Sequence, residues 1–183
     1  MSWLGRALRS LLPDLMYHSG SLADASDGDL VRIFGRIHAD EVLTAPITGR
    51  ECVAWVVHVE RYDGYLPIFD SFHAAAIPFW IDDESARSRV EPVAASSHLE
   101  LAFSLTEARG ELSERGRAFL DEHRYQMNRF GVREASLLPR ATATVTGRLV
   151  VTREPTPAGT YRDGARPARR ELQIVGDVRI SNR

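Results

Sequence analysis

Leu30-Val31-Arg32-Ile33-Phe34-Gly35-Arg36-Ile37, then Ala45-Pro46-Ile47-Thr48-Gly49-Arg50-Glu51-Cys52, then Val53-Ala54-Trp55-Val56-Val57-His58-Val59-Glu60, is the stretch whose reading decides the fold. It reads as two strands joined by a loop. Val31, Ile33, Gly35 and Ile37 fall on one face, with Arg32 and Arg36 on the other, as a period of two requires. Val53, Trp55, Val57 and Val59 share a face. Cys52, Ala54 and Val56 make the opposite face apolar too, until His58 and Glu60 turn it polar. A strand apolar on both faces belongs in the middle of a sheet.

Working outward, Arg61 to Tyr65 reads as a turn closing a hairpin, and Leu66 to Asp70 as a strand. Phe72 to Ile81 reads as a further strand, which Pro78 confines to an edge or a bulge. Asp82 to Ser85 is a turn and Arg87 to Val93 a strand. Leu99, Leu101, Phe103 and Leu105 alternate with polar or small residues, as in one half-buried strand. Glu111 to Arg124 reads as a helix with Leu112, Phe119 and Leu120 on its apolar face, and Tyr125 to Pro139 reads as irregular. Ala141 to Thr152 alternates again, and its Val-Thr-Gly-Arg echoes Ile-Phe-Gly-Arg at 33–36, as two glycine-arginine strands flanking each other in a barrel would. Leu172–Val175 and Val178–Ile180 read as a last hairpin around Gly176-Asp177. Upstream, Ser2 to Met16 reads as a short helix with Leu4, Leu8, Leu11, Leu12 and Leu15 in one stripe, and Tyr17 to Asp29 as a polar linker. The expectation is a mainly-β (α+β) chain. It is a partly open, OB-like β-barrel with one inserted helix and an N-terminal amphipathic helix. Residues 1–29 form the helix and linker, and 30–183 a single β domain.

The order of short blocks resembles a known family. Val31-x-Ile33-x-Gly35-Arg36, a spacer, then Leu43-x-Ala45-Pro46-Ile47-Thr48-Gly49-Arg50-x-Cys52-Val53 and an apolar strand is similar to the GIDE-type domain, also called BAM, for "beside a membrane". Pro78 to Asp83 with Arg89 to Pro92, and Arg133-Glu134, Leu138-Pro139 and Val145-x-Gly147-Arg148, resemble its later blocks. The likeness runs from about Leu30 to Val151. This domain occurs in MULAN-like E3 ubiquitin ligases and in small prokaryotic relatives. The resemblance implies a non-enzymatic adaptor or sensor that engages a protein partner beside a membrane. Ligase activity is not implied, because those ligases carry a zinc-bound RING and this chain has one cysteine.

Composition removes several chemistries. The 183 residues are 44% apolar and 26% charged with a net charge of −2, which suits one globular domain and implies no general attraction to nucleic acid or anionic lipid. All 23 basic residues counted as Lys or Arg are arginine, so no Schiff-base or phosphate-loop lysine exists. The single Cys52 excludes an internal disulfide and a multi-cysteine zinc site. No run reaches the about 18 apolar residues of a membrane span, and no secretory signal opens the chain, so a cytoplasmic location, peripheral to a membrane, is expected. No cofactor and no metal are expected.

Among candidate sites, Pro46, Thr48, Gly49 and Arg50 form a tight loop suited to a protein partner, with Glu41 and Glu51 as ion-pair candidates for Arg50. Arg148, Arg153, Arg162, Arg166, Arg169 and Arg170 form an anion-binding candidate, the basis of a second reading as a nucleic-acid or nucleotide-binding barrel. Tyr161 is the one aromatic within 153–170 for base stacking. A third reading is a hydrolase around His58, Glu60 and Asp63. The polar pairs His58-x-Glu60 and His38-x-Asp40 are better explained by strands meeting solvent. Asp82-Asp83-Glu84 lacks the spacing of a calcium loop, and no Gly-x-Ser-x-Gly elbow surrounds Ser71 or another serine. Cys52 reads as a buried, inert thiol. Residues 3–15 are the candidate for peripheral membrane contact, through Trp3, Arg6 and Arg9, although packing on the protein's own core suits the same stripe.

Overall fold

A computed structural model describes residues 17, 21–63, 66–92, 99–108, 110–126, 129–153 and 170–182. The expected helix at Ser2–Met16 lies outside them. The chain is mainly β, with a closed five-stranded barrel. Its strands are β1 (Leu30–His38), β6 (Phe79–Asp82), β7 (Arg87–Val90), β11 (Thr142–Arg153) and β12 (Arg170–Ser181). The order around the ring is β1-β6-β7-β12-β11 and back to β1. Every pairing in the ring is antiparallel except β7–β12, whose two parallel pairs, Gln173–Arg89 and Ile174–Val90, make the narrowest seam.

The sequence pattern accounts for this ring. In β1 the burial alternates without a slip, placing Val31, Ile33 and Ile37 inside. The two glycine-arginine strands do flank each other: Ile33 pairs with Val145, and Val31 with Gly147. A side chain at Gly35 would collide with the Asp82 carbonyl, so the close approach of β1 to β6 needs glycine there. Strand β12 is continuous, not the expected hairpin. Gly176 and Asp177 sit where its register against β11 shifts between Thr146 and Arg148, so the turn-like residues mark a bulge.

Residues 21–29, expected as a linker, cap the barrel. Leu22 and Ala25 are buried in its core. The Gly28 amide donates to the Leu149 carbonyl, the Leu149 amide to Asp29, and the Val151 amide to the Asp27 carboxylate. Small polar residues read as a linker because each satisfies a backbone group, while two apolar side chains suffice as a plug.

Two insertions into the barrel build a second sheet. Strands β4 (Ala54–Asp63) and β5 (Leu66–Ala76) enter between β1 and β6. Strands β9 (Phe103–Glu107) and β10 (Phe130–Leu137) enter between β7 and β11. The order is β5-β4-β10-β9, so β4 is central, as its two apolar faces require. Ala54, Val56, Ala135 and Leu137 join the barrel core from one side. On the other face, Val57, Val59 and Val132 meet Leu112, Phe119 and Leu120, on and just before helix α1 (Glu114–Glu122). The result is three layers with two cores.

Three expectations are corrected here. The segment at 125–139 is not irregular: it contains β10, whose Arg133-Glu134 pair conceals a strand that is buried at Glu134. The alternating run from Leu99 is split. A short β8 (Leu99–Glu100) joins the barrel sheet through β12, and β9 joins the second sheet. Phe72 to Ile81 likewise divides between β5 and β6, in different sheets, broken at Ile77-Pro78. Proline cannot donate to a ladder, so the change of sheet falls there.

The helix ends are made by specific residues. The Ser113 hydroxyl accepts from the Gly116 amide at 3.0 Å as the N-cap. At the C-terminus the Tyr125 amide donates to Leu120 and the Arg124 amide to Asp121, with Arg124 at φ 60°, a Schellman arrangement. Glu84, in the β6–β7 turn, stands at φ 74°. Both are positions that favour glycine. Arg124→Gly and Glu84→Gly are each expected to raise the stability to chemical denaturation by roughly 0.5–1 kcal/mol, since relief of left-handed strain outweighs the added chain entropy. A loss of stability in both variants would contradict this.

Candidate functional site

The loop Ala45–Arg50 joins the two-residue strands β2 (Leu43–Thr44) and β3 (Glu51–Cys52). Its shape is set by one side chain from the second sheet. The Glu134 carboxylate, fully buried, accepts from the Ile47 amide at 2.7 Å, from the Thr48 amide at 3.2 Å and from the Thr48 hydroxyl. The Gly49 amide closes the turn on Ala45 with φ at 69°, and the Ala45 amide donates to Arg50. Of the candidate residues here, Thr48 is turned inward and Gly49 is required by the turn. Arg50 is exposed, and Pro46 is half-buried. Cys52 lies beneath this loop with its thiol toward the Leu43 carbonyl. Burial, then the negative charge of Glu134, push the thiol up to about 11, so it stays protonated and unreactive at neutral pH.

His58 and Glu60 point to the face of β4 that continues the barrel side. The His58 ring packs edge-on against Phe103 at 4.6 Å, and Phe72 lies 6.1 Å away. Glu60 pairs with Arg133 at 3.3 Å, and the Arg133 guanidinium stacks on Phe103 at 4.3 Å. These are packing and ion-pair contacts at the sheet's open end. The backbone of Asp63 closes β4. Arg148 stands on the outer barrel face and donates to the Gly28 carbonyl. Arg153 and Arg170 pair at the far end of β11 and β12. Arg162, Arg166, Arg169 and Tyr161 lie outside the described residues. Among the described residues no three His, Cys, Asp or Glu side chains are grouped to hold a metal ion, and no helix is long and apolar enough to cross a membrane.

The acidic run at 82–84 serves its own turn. Asp82 accepts from the Glu84 amide, and Asp83 from the amides of Leu22, Ser85 and Ala86 and from the Ser85 hydroxyl. Burial raises the Asp83 pKa, but those hydrogen bonds outweigh it and hold the carboxyl below its ordinary value. Beside this turn a groove of about 630 Å³ opens on the outside of the barrel, lined by Phe34, Arg36, His38, Asp82, Glu84 and Thr142 among others.

One cluster escaped sequence reasoning. Ser71 and His73 alternate along β5 toward the helix side, where the Schellman reversal delivers Tyr125. The Tyr125 hydroxyl hydrogen-bonds Ser71 and lies 3.2 Å from His73 Nε2. His123 packs edge-on against His73 at 4.1 Å between ring centres, with its Nδ1 on the Phe119 carbonyl at 2.9 Å. Burial, then the neighbouring His123, hold the His73 pKa below its ordinary value. The only sequence signal was the period of two joining Ser71 to His73. The partners come from a helix end about fifty residues away.

Edge strand β5 carries exposed apolar side chains. Leu66 is 73% and Ile68 43% exposed. Among the described residues β5 pairs only with β4.

Two outcomes are expected. Glu134→Ala strands two amides and lowers stability by roughly 2–5 kcal/mol, while Glu134→Gln, keeping an acceptor oxygen, costs less. Labelling of Cys52 by a thiol reagent reads both, since the buried thiol reacts on opening. For His73 the depressed native pKa means that the unfolded chain takes up a proton first as pH falls. Its stabilising effect is complete above about 6.5 and is lost from there down to the lower native pKa. His73→Gln should therefore flatten the pH dependence of unfolding below 6.5. An unchanged slope would refute the assignment.

No protein-family model, no curated protein and no solved structure matches this chain.

Proposed function

We propose that this chain is a non-enzymatic protein-interaction module of the GIDE/BAM type, acting as an adaptor or sensor beside a membrane without ligase activity. The observation that carries the reading is the β5 edge. Sheet edges are commonly blunted by charge, proline or a covering element. Strand β5 is paired on a single side among the described residues, and although it carries Pro67 it presents apolar area through Leu66 and Ile68. An extended segment of a partner protein added to β5 would pair with its free backbone groups beyond Pro67 and bury those side chains, the mode known as strand addition. Arg50, exposed on the loop that Glu134 holds rigid, offers a second contact to the same class of partner.

The alternative nucleic-acid reading draws on topology. Residues 154–169, with Arg162, Arg166 and Arg169, connect the fourth and fifth barrel strands, β11 and β12. In OB barrels that connection contributes to oligonucleotide binding.

Crosslinked pull-down from native lysate tests the first reading, comparing the full chain with Leu66→Lys/Ile68→Lys and with Arg50→Ala, all matched for thermal unfolding. A partner retained by the full chain and reduced at least tenfold by the double edge variant is expected, with a smaller loss for Arg50→Ala. Equal recovery by all three rejects the edge as the contact. Affinity for single-stranded DNA that falls steeply with salt would favour the alternative instead.

A further inference from the structure

We infer that the groove at Phe34 on the outer barrel wall is the docking site of this chain's own N-terminal segment, residues 2–16. Phe34 is the side chain that makes the case. It lies in the middle of a barrel strand, on the outer face between Arg32 and Arg36, and is 68% exposed. Its ring, at the side of a groove otherwise lined mainly by polar and charged residues, gives an apolar side chain laid there a contact to bury. The groove beside it has a volume of about 630 Å³. That takes side chains of a helix laid across it, not the helix itself.

The path of the chain selects the occupant. The Leu22 amide donates to Asp83 at 2.7 Å and the Ala23 amide to Ser85 at 3.3 Å. Asp83 itself lines the groove. The polypeptide running back from Ser21 therefore leaves the barrel at the groove's own rim. Tyr17 to Gly20 span at most about 13 Å when extended, so the segment starts within reach of Phe34. As a helix ending at Pro13 it would be roughly 16 Å long, enough to cross the groove.

Chemistry is complementary at both levels. Leu4, Leu8, Leu11, Leu12 and Leu15 form a stripe that matches the Phe34 ring. With that stripe turned to the groove, Arg6 falls on the far side of the helix, and Arg9, on its flank, is the side chain that can reach Glu84 at the rim. Asp83 is already engaged by four donors and is not needed. The same leucines are those an interfacial membrane helix would insert, so docking on the barrel and insertion in lipid exclude each other. The groove would thus hold the membrane-seeking segment when no membrane is present.

The test uses the full chain with a nitroxide on Ser10→Cys. Cys52 is buried with its thiol raised to about 11, so labelling is selective. Paramagnetic broadening of backbone amides is expected to be strongest at Phe34, Gly35 and Thr142, and to be lost there in Phe34→Asp. Arg9→Glu should weaken it, and adding Glu84→Arg should restore it, which guards against a variant that only unfolds. Broadening no greater at these amides than along β5, or unchanged by Phe34→Asp, overturns the inference. So does broadening seen only between a spin-labelled chain and a separate isotope-labelled chain, which would assign the groove to a second copy. Vesicles of phosphatidylglycerol and phosphatidylcholine provide the last arm. Reversal of the broadening on their addition supports mutually exclusive docking, whereas broadening at full strength with the segment demonstrably bound to vesicles contradicts it.

Discussion

The buried carboxylate of Glu134 is the constraint on which the middle of the molecule depends. Strand β10 could have been a plain apolar strand, since its neighbours Val132, Ala135 and Leu137 are fully buried. Placing a glutamate among them is costly unless every acceptor position is used. It is used: Ile47 and Thr48 supply two amides and a hydroxyl, all from a loop about 87 positions earlier in the chain. The interaction is therefore a long-range lock. The loop needs the carboxylate to satisfy its amides, and the carboxylate needs the loop to be tolerated at all. The Ala-Pro-Ile-Thr-Gly-Arg stretch then follows from geometry. Threonine adds the extra donor, glycine takes the left-handed position, and Cys52 is sealed beneath.

Much of the barrel was legible because its strands alternate without interruption. The period of two in β1 and β11 predicted the inward faces, and the shared glycine-arginine echo predicted their adjacency. The two apolar faces of β4 likewise predicted a central strand. What failed did so for physical reasons. Arg133-Glu134 looked like solvent-exposed loop because charge is read as exposure, and only a partner far along the chain makes Glu134 burial tolerable. Leu99 to Leu105 alternates as one strand would, but the two halves serve different sheets. Alternation reports which residues are buried, not which core buries them. In β12, Gly176-Asp177 carries the composition of a turn and occupies a bulge.

The candidate sites divide the same way. The histidine, tyrosine and serine cluster could not be read from spacing, because Ser71 and His73 come from β5 while His123 and Tyr125 follow a helix. Arg124 in the left-handed conformation is what brings the two groups together. The pair His58 and Glu60 had the right spacing for chemistry, yet each is satisfied by a neighbour: one by aromatic rings, the other by Arg133. Spacing within a strand places two side chains on one face, and the neighbouring strands decide what that face meets.

The architecture separates two surfaces that a single barrel would merge. The barrel alone has no free edge, because closure pairs every strand on both sides. The insertions return edges to the molecule, at β5 and β9, and β5 joins through β4 and β10 the same sheet that carries Glu134. The groove at Phe34 lies instead on β1, in the barrel wall, where the chain's entry at Leu22 adjoins it. Closure of the barrel leaves its wall to present side chains, and the unpaired backbone of β5 and β9 belongs to the inserted sheet.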